Sequence, residues 1–222
     1  MTGFLTGTAL KYIACACMLL DHAYIALFPG AYWLHVVGRL AFPLYCFLLA
    51  EGFAHTRSVP RYAMRLALFA LLSEIPFDLL TQRTVWGPGK QNVFFTLLLG
   101  LLAVACLERW NAQPYLALPA AALCGLGAHL LHTDYGWFGV LLVVALYACR
   151  CNRLLQGVVC TLLCVGNALL KGSPVSAYAA LASLLLLCYN GERGKGGPQY
   201  FFYAFYPCHL LLLVALRSLW AG

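Results

Sequence analysis

Charge is what this sequence has least of. Asp, Glu, Lys and Arg make up 9% of the 222 residues against 63% apolar ones, and the mean hydropathy is +0.82. A soluble domain carries about 25% charged and about 45–50% apolar residues, so seven acids and fourteen Lys and Arg cannot coat a soluble core of this size. That shortage excludes a disordered chain and a soluble dinucleotide-binding or barrel enzyme. No basic run is long enough to form a nucleic-acid groove, so the net charge of +7 does not point to nucleic acid. Metal-binding cysteine patterns are also missing: the eleven cysteines contain no CxxC pair and no zinc-finger spacing. Nine fall inside apolar runs (Cys15, Cys17, Cys46, Cys106, Cys124, Cys160, Cys164, Cys188 and Cys208), and Cys149 and Cys151 flank Arg150. Free cysteine packs as a small hydrophobe, which predicts packing rather than disulfides, and no metal. The composition is that of an integral membrane protein.

A transmembrane helix needs roughly 20 mostly apolar residues. That ruler predicts nine spans, at about 8–28, 32–54, 60–80, 92–108, 114–131, 134–149, 153–170, 174–190 and 200–220. Turn chemistry separates them, at Phe28-Pro29-Gly30, Val59-Pro60, Trp86-Gly87-Pro88-Gly89-Lys90, Gln113-Pro114 and the Gly-rich segment Gly191 to Pro198. The expected fold is all-α, a single polytopic bundle over residues 1–222 in a cell (plasma or inner) membrane. The first run is too long for a cleaved signal peptide, and its Lys11, Asp21 and His22 are too internal. With the N-terminus inside, nine cations fall at cytoplasmic ends (Lys11, Arg57, Arg61, Arg65, Arg109, Arg150, Arg153, Arg193, Lys195) and four outside (Arg83, Lys90, Lys171, Arg217). This asymmetry predicts N-in, C-out.

Ionisable groups inside hydrocarbon are costly and rare unless they line a cavity. Here they concentrate in the first three spans: Lys11, Asp21 and His22; then His35, Arg39, Glu51 and His55; then Arg61, Arg65, Glu74 and Asp78. Asn92, Asp134 and His209 add to them later. Asp21 and His22 project about 100° apart on a helix, so His22 is expected to be oriented from another helix while Asp21 serves a separate contact. Glu74 and Asp78 share a face, with Pro76 between them expected to kink the helix. Arg39, at similar depth in the preceding span, is the expected partner of that carboxylate pair. Bland readings stand beside these: an Arg–carboxylate pair that only locks helices, His35 as a solvated or capping residue, His129 and His132 as outer-edge residues, the loop arginines as topology signals, and the aromatics of 200–206 as packing.

An ordered set of motifs resembles the TraX family of membrane proteins. They are Met18-Leu-Leu-Asp21-His22, Gly38-Arg39-Leu-Ala-Phe42-Pro43, Glu51-Gly52-Phe53 with His55-Thr56-Arg57, Tyr62, Arg65, Ser73-Glu74-Ile-Pro76-Phe77-Asp78, Asn92 ahead of Phe95-Thr96-Leu97, Asp134-Tyr135-Gly136, and Phe205-Tyr206-Pro207 followed by His209-Leu210. The resemblance implies an acetyltransferase. The family's founding member is associated with N-terminal acetylation of conjugative pilin, and the family looks like a distant relative of multi-span transmembrane acyltransferases, which typically use a histidine in an early span and acyl-CoA from the cytoplasm. His22 fits that position.

Moving an acetyl group from a thioester to an amine or hydroxyl needs a base for the acceptor proton, donors for the developing oxyanion and cations for the coenzyme phosphates. His22 is the expected base, because a near-neutral base in a dehydrated cavity suits histidine. Asp21, Arg39, Glu74, Asp78, Asn92 and His209 complete the expected catalytic set, with Asn92, Arg39 and Tyr206 as alternative oxyanion donors. Arg57, Arg61, Arg65 and Tyr206 are the expected acetyl-CoA contacts. The acceptor stays open between glycan, lipid, small molecule and peptide N-terminus. The alternative reading is a small proton- or ion-coupled transporter using Asp21, His22, Arg39, Glu74 and Asp78; a non-catalytic assembly factor is a third. The absence of an internal repeat and the basic cluster after the second span favour the transferase.

Overall fold

Most long helices begin on a residue that accepts their first free N–H groups or cannot continue the preceding turn. In a computed structural model of the protein, which describes residues 3–87, 89–196 and 199–221, Thr6 caps α1 (Gly7–Ala26) by accepting from the Ala9 N–H at 3.2 Å. Ser58, followed by Pro60, starts α4 (Val59–Thr81), and Asn92 starts α5 (Val93–Arg109) by accepting from Phe94 at 3.0 Å. Pro114 opens α6 (Pro114–Leu130), and Asn152 caps α8 (Arg153–Lys171). The turn residues Pro88, Gly197 and Pro198 lie outside the described residues.

Two predicted spans are not single helices. The second divides at Arg39–Leu40 into α2 (Tyr32–Gly38) and α3 (Ala41–His55). Pro43 has no N–H for the carbonyl four residues earlier, that of Arg39, and the next bond, Leu44 N–H to the Leu40 carbonyl, is long at 3.4 Å. The eighth consists of α9 (Pro174–Ala177), a tighter 3₁₀ turn over Tyr178–Leu181, and α10 (Ala182–Leu187). The other predicted spans appear as continuous helices, including α7 (Gly136–Ala148) and α11 (Gln199–Ala221). α4 runs on through Pro76 without interruption.

The result is an all-α bundle of a membrane protein. Among the described residues, four stretches are long and apolar enough to cross a membrane: Gly7–Ala26, Tyr32–His55, Arg153–Lys171 and Tyr200–Trp220. α7 has only 13 residues, about 20 Å of rise. It sits in the middle with Leu142, Val143 and Leu146 fully buried, packed against α3, α5, α6 and α8. α8 is polar inward and apolar outward: Gln156, Gly157, Cys160, Cys164 and Asn167 face the bundle, while Leu154, Leu162, Leu169 and Leu170 are exposed. Small and polar residues at helix contacts with leucine outside are the membrane pattern. All eleven cysteines are free.

Ties at the two ends show that helix direction alternates. At one end Gly7 and Thr8 donate to the carbonyls of Glu192 and Arg193, and Arg153 pairs with Glu51 at 3.1 Å. At the other end Lys90 pairs with Asp134 at 2.6 Å, and Arg217 donates to the carbonyls of Leu79 and Leu80. The contact of α11 with α1 and α4 closes the bundle around the first helices.

Candidate functional site

His22 lies one turn from the end of α1, and α11 brings His209 against it. Nδ1 of His22 is 2.7 Å from Nε2 of His209, with the ring centres 4.9 Å apart and the rings inclined by 29°. Both residues are buried. Nδ1 of His209 lies 2.7 Å from the carbonyl of Phe205, one turn back on the same helix. A carbonyl only accepts, so this nitrogen carries the proton, and in the neutral ring Nε2 is the acceptor. His22 therefore donates from Nδ1 and keeps the lone pair on its own Nε2. That nitrogen makes no hydrogen bond to any described residue, and His22 lines a cavity of about 270 Å³. Tyr206 packs edge-on against both imidazoles.

Asp21 turns away from His22 to a different pair. Its Oδ1 is 2.8 Å from Nδ1 of His35, and its Oδ2 accepts from the Arg39 guanidinium. This corrects the expected pairing of Arg39 with Glu74 or Asp78. The cause is local: α2 packs on α1, and Gly38 meets the Asp21 side chain so closely that a Cβ would overlap it. The break after Gly38 then turns Arg39 back toward α1. His35 is likewise not a solvated cap; it is stacked on Tyr24 and bound to Asp21. The sequence held a signal for this, since His35 and Arg39 are four apart and can approach one partner together.

The two α4 carboxylates have partners of their own. Glu74 accepts from the side chain of Asn92, whose Nδ2 also donates to the Ala70 carbonyl at 2.8 Å. Asn92 is thus committed to tying the start of α5 to α4, and is not free as an oxyanion donor. Asp78 accepts from the Gly87 N–H at 2.8 Å and from Gln82 at 2.7 Å, which ties Gly87 to the end of α4.

The cavity is lined from α1, α2, α3 and α4, by Val93 and by Tyr206, and also by Lys90, Asp134 and Tyr135 from the turns beyond α4 and α6. Those turn residues extend the enclosure past the first three spans and the ninth. Tyr135 has a left-handed backbone (φ 64°) and stacks on Phe42 with ring centres 3.5 Å apart. Lys90 and Tyr135 are not among the expected site residues; Lys90 reads as an ordinary turn lysine, and only the fold carries it to Asp134.

Arg57, Arg61 and Arg65 do not line this cavity. Arg57 and Arg61 are exposed at the α3–α4 turn, and the Arg65 guanidinium lies over the rings of Tyr62 and Tyr203. Along α4, Arg65 and the cavity residue Phe77 are about 18 Å apart at ~1.5 Å per residue. Tyr203, Phe94 and Tyr206 pack on one another between the two levels. Tyr206 therefore belongs with the histidines rather than with the arginines, as a correction to its expected place. Among the described residues no group of three or more His, Cys, Asp or Glu is gathered as a metal site.

The family described as "TraX protein" matches residues 6–217. A Dichelobacter nodosus protein named "Probable fimbrial assembly protein FimC, serogroup H1" is 30% identical over 94% of this chain and 94% of its own length. "Protein TraX" of Escherichia coli strain K12 is 28% identical over 93% of this chain and 85% of its own. No solved structure matches the chain.

Proposed function

The chain belongs to the TraX family, and on that premise we propose that it is an acetyltransferase that moves an acetyl group from acetyl-CoA to an amine or hydroxyl acceptor. The observation that carries this reading is the ordered imidazole pair. His209, fixed by the Phe205 carbonyl, accepts from His22 Nδ1 and leaves His22 Nε2 free as a base beside the cavity. In the proposed step the acceptor gives its proton to Nε2 of His22 as its nitrogen or oxygen attacks the thioester carbonyl carbon. The C–S bond then breaks, and the coenzyme thiolate takes the proton back from His22. Arg39, whose Nε has no hydrogen-bond partner among the described residues, donates to the developing oxyanion in this reading.

The N-in, C-out orientation in a cell membrane, crossed several times, is part of the same proposal and rests on the distribution of Lys and Arg. It places Arg57, Arg61 and Arg65 on the cytosolic side to hold the donor phosphates, and the histidine cavity toward the opposite side. The name of the Dichelobacter relative speaks of fimbrial assembly, which supports a role beside the assembly of surface fibres. Among the described residues the intramembrane polar groups include four separate groupings, His22–His209, Asp21–Arg39–His35, Glu74–Asn92 and Asp78–Gln82, rather than the single file a transport path needs. This weighs against a transporter.

The test uses the purified full chain in detergent with labelled acetyl-CoA. A general base contributes about 10²–10⁴-fold to rate, so His22→Ala should bind the donor yet lose transfer by that factor. Transfer at the unsubstituted rate in that variant would overturn the reading.

A further inference from the structure

A second and larger cavity, about 610 Å³, lies beside the histidine cavity at the same end of the bundle. The two share Arg39, Phe42, Lys90, Asp134 and Tyr135, so the stacked Phe42 and Tyr135 rings form the partition between them. Its volume lies within the range of small-molecule sites, about 300–1,000 Å³.

Its charge is one-sided. Arg39 is balanced by Asp21 and Lys90 by Asp134, but Lys171 on the same wall makes no ion pair among the described residues. Asn167, one turn before Lys171 on α8, lines the cavity too. It is buried at 9% exposure, and its amide bonds to no described residue. The amide is not sealed off but open to the cavity, with the exposed Lys171 ammonium beside it. His129 and His132 complete the rim.

We propose that this vestibule is the acceptor site and selects acceptors that carry a carboxylate or phosphate group, held between Asn167 and Lys171 while the reacting group passes the Phe42–Tyr135 partition to His22. The inference rests on the transferase reading for the word acceptor, and its anion selectivity stands independently of it. Charge-assisted hydrogen bonds to such groups are short and strong, and an anion at this point completes both unpartnered side chains.

The test is calorimetric binding to the full chain in neutral phosphatidylcholine nanodiscs, at fixed ionic strength and without coenzyme A. Glycerol 3-phosphate and glucuronate are the anionic probes, with glycerol and glucose as their uncharged counterparts. The anions should bind and the neutral compounds should not. Lys171→Gln and Asn167→Leu should each weaken the anions about tenfold, and Lys171→Arg should retain most of the affinity. Displacement of the probes by added phosphatidylglycerol supports the proposal with a lipid headgroup as the source of the anion; binding undisturbed by it supports a water-soluble acceptor. No binding of either anion, equal binding of the neutral compounds, or anion binding unchanged in both Lys171→Gln and Asn167→Leu overturns it. Because no acetyl group moves in this measurement, a failed His22→Ala transfer test and a failed anion test are separate results.

Discussion

Gly38 and Asp21 face one another across the α1–α2 contact with no room for a Cβ between them. That approach places the Asp21 carboxylate within reach of both His35 and Arg39. Gly38→Ala must push the two helices apart or swing Asp21 away. Overpacking of this kind costs about 1–3 kcal/mol, so the variant should unfold at lower temperature in detergent and lose transfer. Gly30→Ala is the control, since nothing stands within 4 Å of a Cβ there, and it should unfold like the unsubstituted chain. Equal thermal stability of the two variants would contradict the contact.

The Arg39–Asp21 pair makes a prediction of its own. Removing one member of a buried pair strands the other charge and costs about 3–5 kcal/mol. Arg39→Gln and Asp21→Asn should each lower stability, and the double variant should cost clearly less than their sum. Arg39→Gln combined with Glu74→Gln should instead be additive, because Glu74 is held by Asn92. A double-mutant cycle in denaturant reads both; coupling of Arg39 to Glu74 but not to Asp21 would reverse the assignment.

Helix placement was legible in the sequence because hydropathy and turn residues act locally: the break at Phe28-Pro29-Gly30 follows the end of α1, and Gln113-Pro114 opens α6. Partner choice was not. Glu74 and Asp78 share a face, as their spacing requires, yet each takes its partner from the start of α5 or the turn before it. Depth in the membrane alone could not reveal that Arg39 turns back to α1, since this depends on the break that Pro43 and Gly38 produce. The meeting of His22 and His209, 187 residues apart, depends on α11 closing against α1, which no local pattern encodes. The vestibule was missed for a similar reason: Asn167 and Lys171 read as one polar turn at the end of an apolar helix, and only packing turns them toward His129 and Lys90.

The arginines at the opposite end carry a salt-dependent prediction. Arg57 and Arg61 are exposed and Arg65 half-buried, so contacts to coenzyme phosphates there are screened over about 10 Å at 0.1 M salt. Acetyl-CoA binding should weaken as sodium chloride rises. The Arg57→Ala, Arg61→Ala, Arg65→Ala variant should bind at least tenfold more weakly and with a shallower salt dependence. Unchanged affinity in that variant moves the donor site elsewhere.

His209 is a positioning residue, and substitutions that differ in acceptor capacity separate its role from simple packing. Its Nε2 accepts from His22 Nδ1, and its own Nδ1 proton is held by the Phe205 carbonyl. With His209→Ala, His22 loses the acceptor that selects its tautomer, and its base nitrogen carries the proton in part of the population. Transfer should fall by about 10–100-fold, less than for His22→Ala, whose loss reaches about 10²–10⁴-fold. His209→Asn keeps a side-chain oxygen able to accept from Nδ1 and should recover part of the rate. His209→Leu fills the space without an acceptor and should not. The readout is kcat for labelled acetyl transfer, with donor affinity measured in parallel and expected to stay constant across the three variants. If His209→Leu transfers as well as His209→Asn, the imidazole serves only as packing and His22 is oriented by another group.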